Sequence, residues 1–278
     1  MSKTSLQYYC ESCQNILSES NFESDISSSV EPCPFCGVVL SQALQKRFSR
    51  PVTKPAVVFK KASSLPKLTL DIQKLDGLFH FLTLNDKLSI SGIQTQKIIE
   101  RICVRAQLPS RYGGLNSKVL LVDGANSSDL YQCVDFAQQY GLNVNKILDG
   151  VISSRAFTVY QLANTVIAEL PNIVKKHDVK IVIITNLLYY FTNDLRLDTN
   201  EMKMILKEII KTLNKIQDCL VVVSLGMPSR YDCLFSQLFS RTIRIQQSYG
   251  PLSLSVNNNG KKNSILLKKE ELETIPRH

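Results

Sequence analysis

Two closely spaced pairs of cysteines are the residues best suited to chemistry in this chain. Cys10 and Cys13 form one C-x-x-C pair, and Cys33 and Cys36 form a second pair nineteen residues later. Two such pairs supply the four thiolate ligands that zinc takes in tetrahedral sites. A closed set of four cysteines leaves no open coordination position, so we expect a structural zinc. Free or redox-active thiols are the alternative interpretation.

The residues between the cysteine pairs contain little that could build a core, since residues 15–32 are mostly polar. A small domain without an apolar core gains most of its folding free energy from its metal site. We therefore predict a small N-terminal zinc ribbon over residues 1–40. Cysteines within apolar helix or strand patterns are usually small core residues, and we interpret the other four in this way. These are Cys103, Cys133, Cys219 and Cys233.

A strongly basic segment follows the predicted zinc ribbon. Residues 46–67 contain seven lysines and arginines and no acid, whereas residues 1–45 contain one lysine and five acids. Three prolines interrupt any long helix, so residues 41–67 are typical of a linker. Its cations would attract DNA phosphates or an acidic partner without reading sequence. A simply solvated linker is the alternative. The candidate nucleic-acid contacts are Lys46, Arg47, Arg50, Lys60 and Lys61.

From residue 68 onward the chain alternates between two periodicities. Short apolar runs suit buried strands at 118–124, 180–186, 219–225 and 241–245. Amphipathic stretches suit helices at 95–107, 128–140, 158–170 and 200–216. This alternation predicts an α/β fold over residues 68–278, with a mostly parallel sheet and helices on both faces. The turn residues Asn259 and Gly260 predict a C-terminal hairpin.

The composition of the whole chain agrees with a folded protein of one or two domains. The 278 residues are 44% hydrophobic and 21% charged, the balance of an ordinary globular protein. The longest apolar run, residues 179–191, is shorter than the ~20 residues that span a bilayer. The N-terminus has no apolar segment of the kind found in secretory signals. We therefore expect a cytoplasmic protein with reduced thiols and no membrane partner.

A series of short motifs runs in a fixed order through the first half of the core. It consists of Gln107-Leu108-Pro109, Gly113-Gly114, a strand ending at Asp123, Tyr140-Gly141-Leu142 and Arg155-Ala156-Phe157. This series closely resembles archaeal and eukaryotic members of the RecA/RadA recombinase family, and the resemblance covers about residues 57–250. It implies a RecA-like core in a RadA-like paralogue of the archaeal type. It does not by itself imply activity, because function depends on the site and not on the fold.

The resemblance also locates the residues that would carry ATP chemistry, and they are replaced. A phosphate-binding loop has the pattern Gly-x-x-x-x-Gly-Lys-Ser/Thr. The family's loop falls on residues 89–96, where only Gly92 matches, Thr95 replaces the lysine and Gln96 replaces the magnesium-binding hydroxyl. The water-activating acid, the second-strand aspartate and the γ-phosphate-sensing glutamine fall on Ala125, Thr185 and Gly226. The resemblance thus implies a degenerate phosphate loop, so we expect neither an ATP cofactor nor ordinary ATP hydrolysis. Weak nucleotide binding is the alternative, because Gly92 could still begin a loop at a helix N-terminus.

Four further residues belong to the same region. Asp123 matches a family aspartate, and because its partner groups are replaced we expect it to cap the strand end. Lys97 stands near the degenerate loop but belongs to the following helix turn. The two loops that face DNA in the family are short here, so we do not expect filament-type DNA binding through them. Arg196 and Arg230 are isolated arginines in these loops, typical of solvated surface.

A short motif in the basic segment resembles the family's polymerisation element. Recombinases of this family lend a Phe-x-x-Ala segment, just ahead of the core, to a pocket on the neighbouring core. Phe59 and Ala62 stand in that place, after a strand-like Pro-Ala-Val-Val run. Strand addition would supply backbone hydrogen bonds, and Phe59 would supply an aromatic anchor. The alternative is that Phe59 packs on its own core.

These observations lead to one functional expectation and two alternatives. We expect a catalytically inactive accessory protein of DNA recombination and repair, a pseudoenzyme that binds an active RecA/RadA-type recombinase, DNA or both. The first alternative is a divergent nucleotide-binding ATPase with unusual phosphate contacts. The second is a zinc-ribbon nucleic-acid-binding or regulatory protein that uses the RecA-like core as a scaffold. Nucleotide turnover would distinguish the first alternative, and capture of a recombinase would distinguish the second.

Overall fold

The computed structural model describes residues 66–128, 130–194, 198–247 and 250–275, together with two short strands near the N-terminus. The chain divides into two units, residues 1–61 and residues 62–278. In the first unit, β1 (Gln7–Tyr9) and β2 (Ile16–Ser18) pair in antiparallel fashion. The first cysteine pair falls between these two strands in the sequence.

The second unit alternates strands and helices. Its strands are β3 (Lys67–Leu68), β4 (Leu82–Thr83), β5 (Lys87–Gly92), β6 (Val119–Asp123), β7 (Val151–Arg155), β8 (Ile181–Thr185), β9 (Leu220–Gly226), β10 (Arg241–Gln247), β11 (Leu252–Asn258) and β12 (Lys261–Leu267). Its α-helices are α1 (Gln73–Phe79), α2 (Thr95–Gln107), α3 (Tyr131–Gln139), α4 (Val144–Asp149), α5 (Val159–Asn164), α6 (Leu170–His177), α7 (Tyr189–Asn193), α8 (Thr199–Lys215) and α9 (Lys269–Glu273). Helical turns of other types occupy Ser110–Tyr112, Thr165–Glu169 and Asp232–Phe235.

Eight of the strands form one mixed sheet in the order β12-β11-β10-β5-β9-β8-β6-β7. The five pairs from β10 to β7 are parallel, and the two pairs that include β11 are antiparallel. Parallel neighbours need long crossover connections, which the helices supply here. The predicted α/β fold with a mostly parallel sheet is confirmed.

Two apolar layers hold the sheet between helices. On one face, Ile102 of α2 and Phe136 of α3 are buried against strands from β5 to β12. On the other face, Leu162 of α5 and Leu206 of α8 are buried against β6, β8 and β9. Because both layers cover β6 and β8, every residue of these two strands is buried. This double coverage explains why their sequences are continuously apolar.

The prediction of helices on both faces is wrong for strands β10, β11 and β12 at one end of the sheet. In β10, Ile243 and Ile245 are buried, whereas Arg244 between them is exposed. The outward side chains of these strands are mainly hydroxyl, amide and basic groups, and they line an open groove beside the turn Asp232–Phe235. Antiparallel strands can keep one solvated face, because successive residues alternate between core and water.

The C-terminal hairpin closes at the predicted turn. Asn259 and Gly260 join β11 to β12, and their φ values of 51° and 90° are both positive. A two-residue turn with this geometry matches the twist of its strands, and Asn-Gly is a favoured pair for it. The prediction of the hairpin is confirmed.

One helical stretch is longer than its periodicity predicts. Residues 159–177 run through α5, a π turn at Thr165–Glu169 and α6. Pro171 has no N–H to donate to the preceding turn, so the hydrogen-bond ladder widens there and the helix continues. No helix among the described residues is both long and apolar enough to cross a membrane.

Candidate functional site

The candidate site lies at the edge of the sheet where the parallel strands end. The carboxyl ends of β5, β9, β8 and β6 carry Gly92, Gly226, Thr185 and Asp123. Ligands of α/β domains bind at this edge, where strand ends meet the helix starts. The structure therefore brings together the positions that the resemblance assigned to nucleotide chemistry.

The connection from β5 to α2 is short and tightly packed. Ile93 and Gln94 are the two residues that separate Gly92 from Thr95, the first residue of α2. Gly92 has a φ of +98°, and a Cβ on it would overlap the carbonyl oxygen of Ile245 in β10. Ile93 donates its backbone N–H to the same oxygen at 3.2 Å. Gly92 thus permits the close approach of β10, and the connection is shorter than the loop of a Gly-x-x-x-x-Gly-Lys pattern.

Thr95 and Gln96 make their contacts within the protein. Thr95 is buried, and its hydroxyl accepts a hydrogen bond from the Ser224 hydroxyl at 3.4 Å. Gln96 donates its side-chain amide to Glu100 Oε1 at 2.6 Å, one turn further along α2. A hydroxyl and an amide can accept or donate hydrogen bonds, but they do not supply the charge with which lysine neutralises a phosphate.

Lys97 provides the first cation of α2, and its ammonium group forms an ion pair with Glu273 of α9. Burial of the ammonium group, with the neighbouring charge of Lys269, lowers the pKa of Lys97. The prediction that Lys97 belongs to the helix is confirmed. Its charge is directed toward the C-terminal helix α9.

Asp123 organises the loop that follows β6. Its carboxylate accepts the backbone N–H of Ala125 at 3.2 Å and that of Ser128 at 2.8 Å, together with the Thr185 hydroxyl at 3.2 Å. The hydroxyls of Ser128 and Thr185 share a further hydrogen bond of 3.2 Å. Asp123 is 1% exposed, so these donors replace the water that its charge would otherwise bind. The prediction that Asp123 caps the strand end is confirmed.

The end of β9 is more open. Gly226 has a φ of +80°, and a Cβ on it would meet only Asn186 Oδ1, at 3.8 Å. Arg230 in the following loop is exposed, and its guanidinium carbon lies 5.0 Å from the ring centre of Tyr231. This position agrees with the interpretation of Arg230 as solvated surface. Arg196 lies outside the described residues.

Sequence reasoning missed a group of exposed aromatic residues that follow two of the strands. Phe157 and Tyr160 come after β7 and Tyr189 comes after β8, and each is about half exposed. The Tyr160 hydroxyl donates to Glu201 at 2.8 Å. Strand β7 was missed as well, because it is an edge strand and three of its five residues are polar. Aromatic residues at the boundary between an apolar run and a helix were the available signal.

The metal site stays a prediction. Cys10 and Cys13 fall between β1 and β2 in the sequence, and a C-x-x-C pair suits one edge of a tetrahedral zinc site. Cys33 and Cys36 would supply the other edge, and all four cysteines lie outside the described residues. Within the described part of the chain, no three His, Cys, Asp or Glu side chains are grouped to hold a metal.

The predicted docking and nucleic-acid contacts also lie outside the described residues. They are Phe59, Ala62, Lys46, Arg47, Arg50, Lys60 and Lys61.

Comparison with known families covers the region of this strand edge. The Rad51 family model matches residues 90–227, from the end of β5 to the residue after β9. Residues 90–227 form a Rad51/RecA-family domain. All the strand ends described above belong to this Rad51-family domain, whereas the N-terminal unit and strands β10 to β12 lie outside the match.

Curated relatives show weak similarity over a similar region. The DNA repair and recombination protein RadA of Metallosphaera sedula is 25% identical over 188 residues, which are 63% of this chain and 57% of that protein. The meiotic recombination protein DMC1 homolog A of Oryza sativa subsp. japonica is 23% identical over 185 residues, which are 64% of this chain and 54% of that protein. The DMC1 homolog of Lilium longiflorum is 25% identical over 167 residues, with shares of 58% and 48%. The chain thus spans about half the length of the curated relatives it matches.

Proposed function

We propose that this chain is a catalytically inactive accessory protein of DNA recombination and repair, built on a Rad51-family domain. The connection from β5 to α2 carries the proposal. Two residues separate strand from helix, Gly92 packs against β10, and the ammonium group of Lys97 pairs with Glu273. Phosphate transfer needs a cradle of backbone N–H groups and a free lysine, and this connection supports neither.

The other strand ends support the same proposal. Ala125, Thr185 and Gly226 stand where the resemblance places water activation, magnesium binding and phosphate sensing. Thr185 is fully buried and donates its hydroxyl to Asp123. One replacement could be tolerated alone, but hydrolysis requires phosphate binding, metal binding and water activation together.

Nucleotide binding and turnover test the proposal. The full chain should hydrolyse no ATP above background, with or without DNA, and a fluorescent ATP analogue should not bind saturably. Glu273→Gln tests whether the ion pair of Lys97 is what prevents nucleotide binding, because it frees the Lys97 ammonium group without changing β5. Turnover that co-purifies with the chain and disappears in Thr95→Ala or Lys97→Ala would contradict the proposal in favour of a divergent ATPase.

An accessory role requires contact with an active recombinase, and we propose that Phe59 and Ala62 make it. Phe59 would be the aromatic anchor and Ala62 a small second contact, while the preceding valines add a strand to the partner's sheet. An inactive subunit docked in this way would cap, seed or recruit a filament without turning over nucleotide.

A titration against the recombinase of the same cell tests this contact. Phe59→Ala should weaken the complex roughly thirtyfold or more, because an aromatic anchor is typically worth at least ~2 kcal/mol. The double variant Lys60→Gln, Lys61→Gln is the matched control, and it should weaken the complex much less. Equal affinities for wild type and Phe59→Ala would remove the docking contact.

We also propose that the linker cations bind DNA weakly and without sequence preference. About four engaged cations give a slope of roughly −3 to −4 when log K is plotted against log salt. Replacing Lys46, Arg47, Arg50, Lys60 and Lys61 by glutamine should flatten this slope. Unchanged binding in that variant would exclude the linker as a DNA site.

A further inference from the structure

We propose that helix α8 binds the phosphate backbone of nucleic acid through a ridge of four lysines. The lysine ridge consists of Lys203, Lys207, Lys211 and Lys215, which repeat every fourth residue and are all exposed. The inference goes beyond the proposed function, because the ridge belongs neither to the docking motif nor to the linker. It is also outside the strand edge described above.

The geometry of α8 places the four lysines along one side of the helix. The helix is anchored to the core by Met202, Leu206, Ile209 and Leu213, which are all buried. With 3.6 residues per turn, the lysines fall on the side away from these anchors. Successive lysines rise about 6 Å along the axis, so the ridge extends over about 18 Å. One strand of duplex DNA presents about five phosphates over this length.

Most of the charge on the ridge is not neutralised by neighbouring carboxylates. Glu208 lies 3.1 Å from the Lys211 ammonium group, with both side chains more than half exposed. The other acid of the helix, Glu201, accepts the hydroxyl of Tyr160. Among the described residues, no other carboxylate lies within 4.0 Å of a ridge lysine. The ridge therefore keeps an excess of positive charge in water.

The groove between α6 and α8 carries no excess of positive charge. Lys211 and Lys215 border it together with Lys175, and the acids Asp178, Glu208 and Asp218 line the same groove. Equal numbers of cations and carboxylates make the groove itself electrically balanced. The carboxylates of the groove thus offset part of the charge of Lys211 and Lys215, and the excess charge of the ridge is concentrated at Lys203 and Lys207, toward the start of the helix.

The residue types on the ridge favour nucleic acid over a protein partner. Lysine is depleted at protein–protein interfaces, which are enriched in aromatic residues and arginine. Met204, which is 68% exposed, is the large apolar side chain that α8 presents to solvent. A lysine acts as a point charge on a flexible stem, which suits phosphates and reads no bases. The expected ligand is a nucleic-acid backbone of any sequence.

Salt-dependent binding of the full chain to a short mixed-sequence DNA duplex, and to its separate strands, tests the inference. Replacing the four ridge lysines by glutamine should make the slope of log K against log salt shallower by about 3 to 4 for the duplex. At low salt the affinity should fall roughly tenfold or more. Circular dichroism should remain unchanged, because the side chains are exposed.

A matched control removes the same net charge elsewhere on the core. Lys118, Lys146, Lys261 and Lys262 are exposed and lie outside α8. Their replacement by glutamine should change the slope much less than the ridge variant does. Equal effects of the two quadruple variants would show that net charge alone governs binding, and they would overturn the inference.

Glu208→Gln gives a test of opposite sign. Removing this carboxylate frees Lys211 and should strengthen DNA binding about threefold, an effect that simple damage to the helix could not produce. Unchanged or weaker binding would count against the ridge. If the ridge variant lost affinity for a protein partner and kept its affinity for DNA, the ridge would belong to an acidic protein and the inference would fail. Phe59→Ala should leave the DNA slope unchanged, so the docking proposal is tested separately.

Discussion

Asp123 is the residue on which the hydrogen bonds of the strand edge converge. It accepts two backbone N–H groups and one hydroxyl in a site that is closed to solvent. Asp123→Ala should lower the free energy of unfolding by about 3 kcal/mol, because these buried donors lose their acceptor. Thr185→Val removes one donor and should cost about 1 kcal/mol. Urea unfolding of both variants measures the difference; equal small losses would show that Asp123 does not order the loop.

Cys219 and Cys233 should differ in reactivity, because the interpretation of Cys233 as a small core residue is wrong. Burial raises the pKa of the Cys219 thiol to about 12, whereas Cys233 is exposed. The thiolate is the reactive form, so a thiol reagent should label Cys233 in the folded protein and Cys219 only after unfolding. Mass spectrometry of the labelled peptides measures this. Rapid labelling of Cys219 in the folded protein would contradict its burial in the core.

The raised pKa of Cys219 also predicts a dependence of stability on pH. Above the ordinary thiol pKa of 9.0, the unfolded chain releases this proton while the folded chain keeps it. The folded state then binds more protons, so its stability falls as the pH rises from about 9 toward 12. Cys219→Ala should remove this part of the alkaline loss of stability, as urea unfolding at several pH values would show.

At the scale of elements, the approach of β10 to β5 depends on Gly92. Gly92→Ala should lower the free energy of unfolding by about 3 kcal/mol, because its positive φ disfavours a side chain and the Cβ would overlap the Ile245 carbonyl. Gly77→Ala in α1 is the matched control. A Cβ at Gly77 meets nothing within 4 Å, so this change should stabilise the protein by about 0.5–1 kcal/mol. Thermal unfolding should show opposite signs; a tolerated Gly92→Ala would contradict the close packing of these strands.

At the scale of the whole molecule, loss of the predicted zinc site should unfold one part of the chain and not the other. We expect one zinc per chain, held by Cys10, Cys13, Cys33 and Cys36. Cys33→Ser should unfold residues 1–40 and leave the core folded, because the core has two apolar layers of its own. Hydrogen exchange resolved by peptide would locate the loss of structure. Protein purified without chelator that contains no zinc would end this prediction.

Periodicity predicted much of the fold because it reports burial. The apolar runs at 118–124, 180–186 and 219–225 agree with β6, β8 and β9 to within one residue at each end. Strands buried on both faces are continuously apolar, and such runs are visible in a sequence. Edge strand β7 has no such run, since part of its surface meets water. The positions at the strand edge were assigned by the family resemblance, through the order of its motifs along the chain.

The sequence by itself determined which side chains stand at the strand edge, since residue identity is chemical information that folding does not alter. Only the tertiary structure decided what those side chains contact. Gly92 is needed because Ile245 approaches it from β10, and Lys97 is paired because Glu273 lies beside it from 176 residues away in the chain. Contacts between distant residues depend on the packing of whole elements, which a local pattern does not encode. For the same reason, only the tertiary structure showed that a single helical layer covers β10, β11 and β12.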